Sequence, residues 1–77
     1  MAVERRIKTI ERDNGKARLF IMARDDGCYR FDGEAEFEED GETYRAPCDI
    51  SGLYATADDA ERAAEHEVLW LRDQISN

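Results

Sequence analysis

Apolar and polar positions alternate through the first two thirds of the chain and then change period. From Cys28 to Glu38, Tyr29, Phe31, Ala35 and Phe37 alternate with Arg30, Asp32, Glu34, Glu36 and Glu38, the period of two that marks a strand with one buried face. Ala17 to Arg24 (ARLFIMAR) reads as a second strand. Residues 5–12 (RRIKTIER) read as a short edge strand whose Lys and Arg side chains discourage pairing with neighbours. Thr43 to Cys48 is a last strand, ended near Pro47. Turn signals separate these runs at Asp13-Asn14-Gly15-Lys16, Asp25-Asp26-Gly27 and Glu39-Asp40-Gly41-Glu42.

From Thr56 to Gln74 the spacing becomes helical. At about 100° per residue, Ala57, Ala60, Ala64, Val68, Leu71 and Ile75 fall on one stripe, flanked by Ala63 and Trp70. Thr56 is placed to accept from the Asp59 amide as an N-cap, and Asp58, Asp59 and Glu61 suit the positive end of the helix. No Gly or Pro interrupts the run. One continuous amphipathic helix is expected.

Together these elements predict an α+β fold of β-β-β-β-α order, a single domain over residues 1–77. It is a four-stranded antiparallel meander with one C-terminal α-helix packed on one face and the other sheet face open. Two-residue loops at Asn14-Gly15 and Asp40-Gly41, and a three-residue loop at Asp25–Gly27, fix the register. They place Arg18 beside Glu11 and Glu34, Lys16 beside Glu36, and Phe37 beside Tyr44. One face then collects Ile10, Leu19, Ile21, Ala23, Tyr29, Phe31, Gly33, Ala35, Phe37, Tyr44, Ala46 and Cys48, which the helix stripe is expected to cover. Gly33 marks either a bulge or a close approach of the helix backbone.

The opposite face collects Lys16, Arg18, Arg24, Arg30, Asp32, Glu34, Glu36, Glu38 and Arg45. Phe20 and Met22 lie among these charges, with Ile7 beside them if the first strand keeps its register; a bulge would turn Ile7 inward. With one helix available, nothing covers this face. An uncovered apolar pair on an open sheet is the mark of a contact site for a second subunit or a partner. The competing structural role is shielding of the pair by the stems of Arg18, Arg24 and Arg30.

The net charge of −8 argues against nucleic acid as a partner, because phosphate neutralisation supplies most of that affinity. The charge is uneven: residues 1–30 hold eight Lys/Arg against five Asp/Glu, and residues 31–77 hold three against fourteen. Pairing of the two halves across the sheet is the structural expectation. Glu34, Glu36 and Glu38 repeat along one side of a strand about 6–7 Å apart, continuing into Glu39, Asp40 and Glu42. Such a run is ordinarily a solvated hairpin; its functional alternative is an acidic decoy for a basic protein site.

Little else carries chemistry. With 77 residues, 42% hydrophobic and 39% charged, the chain suits a small soluble domain with a thin stability margin, to which a dimer would add. The longest apolar run, Leu19 to Ala23, is far short of a membrane span, and the N-terminal residues lack the apolar core of a secretory signal. A cytoplasmic protein with Cys28 and Cys48 reduced is expected. No zinc spacing, phosphate loop or nucleophile motif occurs, so no cofactor, metal or catalytic residue is assigned. Glu67 lies near the middle of the helical stripe and requires a partner, for which Lys8, Arg6, Tyr29 and Tyr44 are candidates. His66, one turn before Trp70, reads as exposed or stacked on it. The expected function is a non-enzymatic protein-interaction module, self-associating or binding a protein partner through Ile7, Phe20, Met22 and Arg30. Alternatives are an acidic inhibitor or nucleic-acid-mimic decoy binding a basic protein site through Glu34–Glu42, with Glu34, Glu36 and Glu38 along one side of the strand, and a small-ligand-binding domain using Cys28, Cys48, His66 or Glu67.

Overall fold

A computed structural model describes residues 3–76. Strands β1 (Glu4–Glu11), β2 (Ala17–Arg24), β3 (Tyr29–Glu39) and β4 (Glu42–Cys48) form one antiparallel sheet in sequence order, followed by helices α1 (Ala57–Glu67) and α2 (Leu69–Ile75). The expected register is observed: Arg18 faces Glu11 and Glu34, and Phe37 faces Tyr44. Beyond the end of β2 the Glu36 amide donates to the Lys16 carbonyl at 2.8 Å.

The turns explain this. Asp40 (φ 52°) and Gly41 (φ 80°) are both left-handed, as a two-residue type I′ turn requires. Arg24 and Cys28 close a three-residue loop, with the Arg24 amide donating to the Cys28 carbonyl at 2.9 Å. The first turn differs from expectation. The Arg12 amide donates to Ala17 at 2.9 Å, so Asp13 to Lys16 form a four-residue loop. It shares its centre with the expected Asn14-Gly15 turn, and the register is therefore unchanged.

Two helices replace the expected one. Val68 is extended (φ −89°, ψ 108°), its amide donating to the Ala64 carbonyl to end α1 while its carbonyl accepts from Arg72 to begin α2. Val68 and Leu71 are buried on either side of the break, and α2 is aimed so that Gln74 accepts from the Asp13 amide (2.9 Å) and donates to the Glu11 carbonyl (3.2 Å). The change of direction also leaves Ile75, assigned to the buried stripe by its spacing, exposed. The N-cap is as expected, with Thr56 Oγ1 accepting from Asp59 at 3.0 Å.

Leu19, Ile21 and Phe31 of the sheet pack against Ala60, Ala64, Val68 and Leu71. The two alanines, both fully buried, let α1 lie close to the strands. The helices cover the part of the face around β2 and the first half of β3 only. Phe37 and Tyr44, expected beneath the helix, are 41% and 47% exposed. β3 outruns the β1–β2 hairpin, so residues 37–44 project as an arm from a body only 17 Å thick.

After β4 the chain kinks at Asp49 (φ 52°) and runs on along β3. Tyr54 exchanges two hydrogen bonds with Tyr29 (2.7 and 2.9 Å), and the Ser51 amide donates to Phe31 at 3.1 Å. Gly33 sits under this kink. A Cβ there would lie 2.5 Å from the Cys48 carbonyl oxygen, so the close approach is made by the β4 exit and not by the helix. Gly33→Ala should therefore destabilise the fold by about 1–3 kcal/mol, because backbone must move to admit a methyl group. Gly52→Ala, where a Cβ meets open space, should be near neutral; urea denaturation of the two variants checks the contrast.

Candidate interaction surface

The sheet face away from the helices is shaped by an irregularity in β1. Pairing shifts between Arg6 and Lys8, so that Arg6 faces Met22, Lys8 faces Ile21, and Ile7 is the extra residue of a bulge. Ile7 remains 44% exposed and is not turned inward. The shift places Lys8 on the helix side, where its Nζ donates to both Glu61 carboxylate oxygens at 2.8 and 2.9 Å. It places Arg6 on the opposite side, with its guanidinium carbon 3.6 Å from the Phe20 ring centroid. This cation–π contact contributes about 0.5–1 kcal/mol at an exposed site.

Phe20 is consequently buried, at 6% exposure, and Met22 is half-buried. The expectation of an uncovered Phe20–Met22 pair is corrected here: the chain covers it with its own charged side chains. Arg6 does so from the neighbouring strand, a role assigned from the sequence to Arg18, Arg24 and Arg30. Around Met22, Arg30 makes a bidentate pair with Glu4 at 2.7 and 2.8 Å, reaching across β2 from β3 to β1. Arg24 joins Glu4 at 3.6 Å and Asp26 at 3.0 Å, and Arg30 also meets Asp32 at 3.5 Å. The Arg30 hydrogen bonds hold the Glu4 carboxyl below its ordinary range, and the Arg24 hydrogen bond does the same for Asp26. Arg18–Glu11 and Arg45–Glu34 extend the cross-strand pairing at 3.5 and 3.4 Å.

The acid run divides at this point. Glu34 is engaged by Arg45, and Arg45 stands opposite Glu36 in the register. Among the described residues, Glu36, Glu38, Glu39, Asp40 and Glu42 take part in no ion pair. On the helix side of the same hairpin, Phe37 and Tyr44 stack with centroids 5.8 Å apart. The arm thus carries an aromatic pair on one face and unneutralised carboxylates on the other and at its tip. Alternation had assigned this pair to the core; only the lengths of the strands relative to the helices reveal that it overhangs.

Comparison with protein-family models, curated proteins and solved structures gives no significant match.

The residues considered for chemistry are dispersed. Glu67 is exposed at the rim, where the Tyr54 hydroxyl donates to it at 3.4 Å, in place of the basic and tyrosine partners expected from sequence. The depression beside it, about 220 Å³ and open to solvent, is lined by Phe31, Ile50, Ser51, Tyr54 and Val68 but by neither cysteine nor His66. Cys28 and Cys48 are free thiols; burial pushes Cys48 up to about 11, which leaves it protonated at neutral pH. His66 is exposed. No cluster of three or more metal-ligating side chains occurs among the described residues, and no helix there is long and apolar enough to cross a membrane.

The depressed Glu4 carboxyl gives a signed expectation. A carboxylate held below its unfolded value of 4.5 contributes stability that is present above that value and lost as pH falls through the folded value. Glu4→Gln should lower stability at neutral pH, and its curve of stability against pH should converge with that of the parent chain on acidification below 4.5. Denaturant titrations at a series of pH values check this.

Proposed function

We propose that this chain is a small protein-interaction module whose contact element is the β3–β4 arm. One observation supports it above the others: on the arm two large side chains, Phe37 and Tyr44, stay exposed and stacked on each other outside the helix footprint. The sheet face around Phe20, Met22 and Ile7 gives less support, because Arg6 and the Glu4–Arg30 pair already occupy it. A stacked aromatic pair is a rigid apolar anchor of the kind that dominates binding energy at interfaces, and the carboxylates around it form a charged rim.

A second reading, an acidic decoy for a basic protein site, draws on the carboxylates of Glu36, Glu38, Glu39, Asp40 and Glu42, which take part in no ion pair among the described residues. The two readings make different demands on a partner. Aromatic anchoring survives added salt, whereas charge-led binding weakens steeply with it.

Proteins retained from the native cell by the immobilised chain provide the test, read against variants. Phe37→Ser should lose a specific partner by tenfold or more, about 1.4 kcal/mol, while Leu69→Ser on the exposed side of α2 should retain it. Retention by Phe37→Ser together with loss by Glu36→Lys/Glu38→Lys, in a salt-sensitive manner, selects the decoy. Retention by both arm variants removes the arm from the account.

A further inference from the structure

The arm has an open backbone edge as well as an exposed face, and that edge defines a partner. Along β3 the hydrogen-bonding direction alternates. Tyr29 and Phe31 bond outward to Tyr54 and Ser51, and Glu36 bonds inward to Lys16. Gly33, Ala35, Phe37 and Glu39 therefore bond outward to Cys48, Ala46, Tyr44 and Glu42, their register partners. The narrow pair flanking a type I′ turn gives the same phase. It follows that the amides and carbonyls of Thr43 and Arg45 face away from the sheet, as does the carbonyl of Pro47. Proline is at home there, since its missing N–H lies on the unpaired side.

The two edges of the sheet are not equivalent. β1 is blunted by its bulge at Ile7 and by Arg and Lys side chains, the devices that prevent strand addition. β4 pairs with β3 without a break in register from Glu42 to Cys48; it carries Glu42, Arg45 and Pro47 but no bulge.

Resting on the arm reading above, we propose that the occupant of this edge is a second copy of the chain, joined by antiparallel β4–β4 pairing about a two-fold axis at Tyr44. Three constraints select this register. Centred on Tyr44, Thr43 lies opposite Arg45 of the other copy, so their outward amides and carbonyls make four hydrogen bonds and Pro47 lies outside the paired stretch. Centred on Arg45, two guanidinium groups stand directly opposite each other. Centred on Ala46, Pro47 lacks the amide that Arg45 needs opposite it, and Thr43 meets Asp49, which has left the strand at φ 52°.

Side chains agree with the same register. The two Tyr44 rings become neighbours in a non-hydrogen-bonded pair, the closer of the two antiparallel spacings at about 4.5 Å between Cα atoms. With each Phe37 they form a row of four rings on the helix side. On the other side Arg45 of one copy comes level with Glu38 of the next, two strands away. The Glu4–Arg30 pair already spans that separation within this sheet at 2.7 Å; reaching Glu38 would exchange the present Arg45 contacts, to Glu34 at 3.4 Å and to the Gly15 carbonyl at 3.1 Å. A continuous eight-stranded sheet results, with all helices on one face.

The test uses the full chain. Sedimentation equilibrium from about 10 μM to 1 mM, the range in which a short interface is populated, should show a monomer–dimer equilibrium. Tyr44→Lys, at a half-exposed position, should weaken it by at least about tenfold while keeping the circular dichroism of the parent. In a Cys28→Ser/Cys48→Ser background, Tyr44→Cys should oxidise to a 44–44 disulfide dimer far faster than Arg45→Cys. Cross-linking at Arg45 in preference to Tyr44, or a dimer indifferent to Tyr44→Lys, overturns the proposed pairing. A strictly monomeric chain overturns self-association too; loss of a cellular partner by Phe37→Ser in that case keeps the arm as a site for a different protein, so the two failures are distinguishable.

Discussion

One extra residue in β1 decides what this molecule shows to its surroundings. Ile7 is out of step with β2, and the strand on its N-terminal side is therefore turned over relative to the strand on its C-terminal side. Lys8 and Ile10 face the helices, while Glu4 and Arg6 face away from them. Without the bulge, Arg6 would lie on the helix side, as its spacing from Lys8 and Ile10 implies, and Phe20 would be open to solvent. With it, the Arg6 guanidinium carbon sits 3.6 Å from the Phe20 ring centroid and a carboxylate sits between Arg24 and Arg30. The side of the sheet that has no helix is closed by paired charges and their aliphatic stems.

That closure has a consequence for the arm. Both faces of β2, and of β3 as far as Gly33, are occupied by the chain itself, one by α1 and α2 and the other by the ion-paired layer. The remainder of β3 and most of β4 have neither cover. A chain of this length has only 18 helical residues in its two helices, about 27 Å at 1.5 Å each if laid end to end, against a sheet whose longest strand has 11 residues. The break at Val68 shortens the reach further. The overhang is thus a matter of length, and the exposed Phe37–Tyr44 pair and the free edge of β4 both follow from it. At this overhang an exposed aromatic pair and an open strand edge coincide.

Much of the architecture was legible because independent signals agreed. Turn residues, strand alternation and the helical stripe pointed to one register, and Arg18, Phe37 and Tyr44 stand where that register puts them. Even the misread first turn left it intact, since four-residue and two-residue loops with a common centre give the same pairing. The break at Val68 was not legible: no Gly or Pro announces it, and the Gln74 contacts with Glu11 and Asp13 that accompany it are tertiary. The bulge was foreseen at Ile7 as a possibility, with the wrong residue turned; alternation of side chains around a bulge depends on which hydrogen bond is skipped, which residue types do not encode. The candidate site suffered most from this, because its central pair, Phe20 and Met22, was judged open on the strand pattern alone. The acid run was legible as a run, but its division at Glu34 and Glu36 depends on where Arg45 lands.

The contact between Arg6 and Phe20 is the point at which this account is most exposed. Proton NMR of the chain, compared with a Phe20→Leu variant, reads it directly through the ring current. The Arg6 side-chain protons should resonate well upfield in the parent chain, return to ordinary positions in Phe20→Leu, and show cross-relaxation to the Phe20 ring. Arg6 at ordinary shifts in both proteins, with Ile7 protons in its place above the ring, would contradict it.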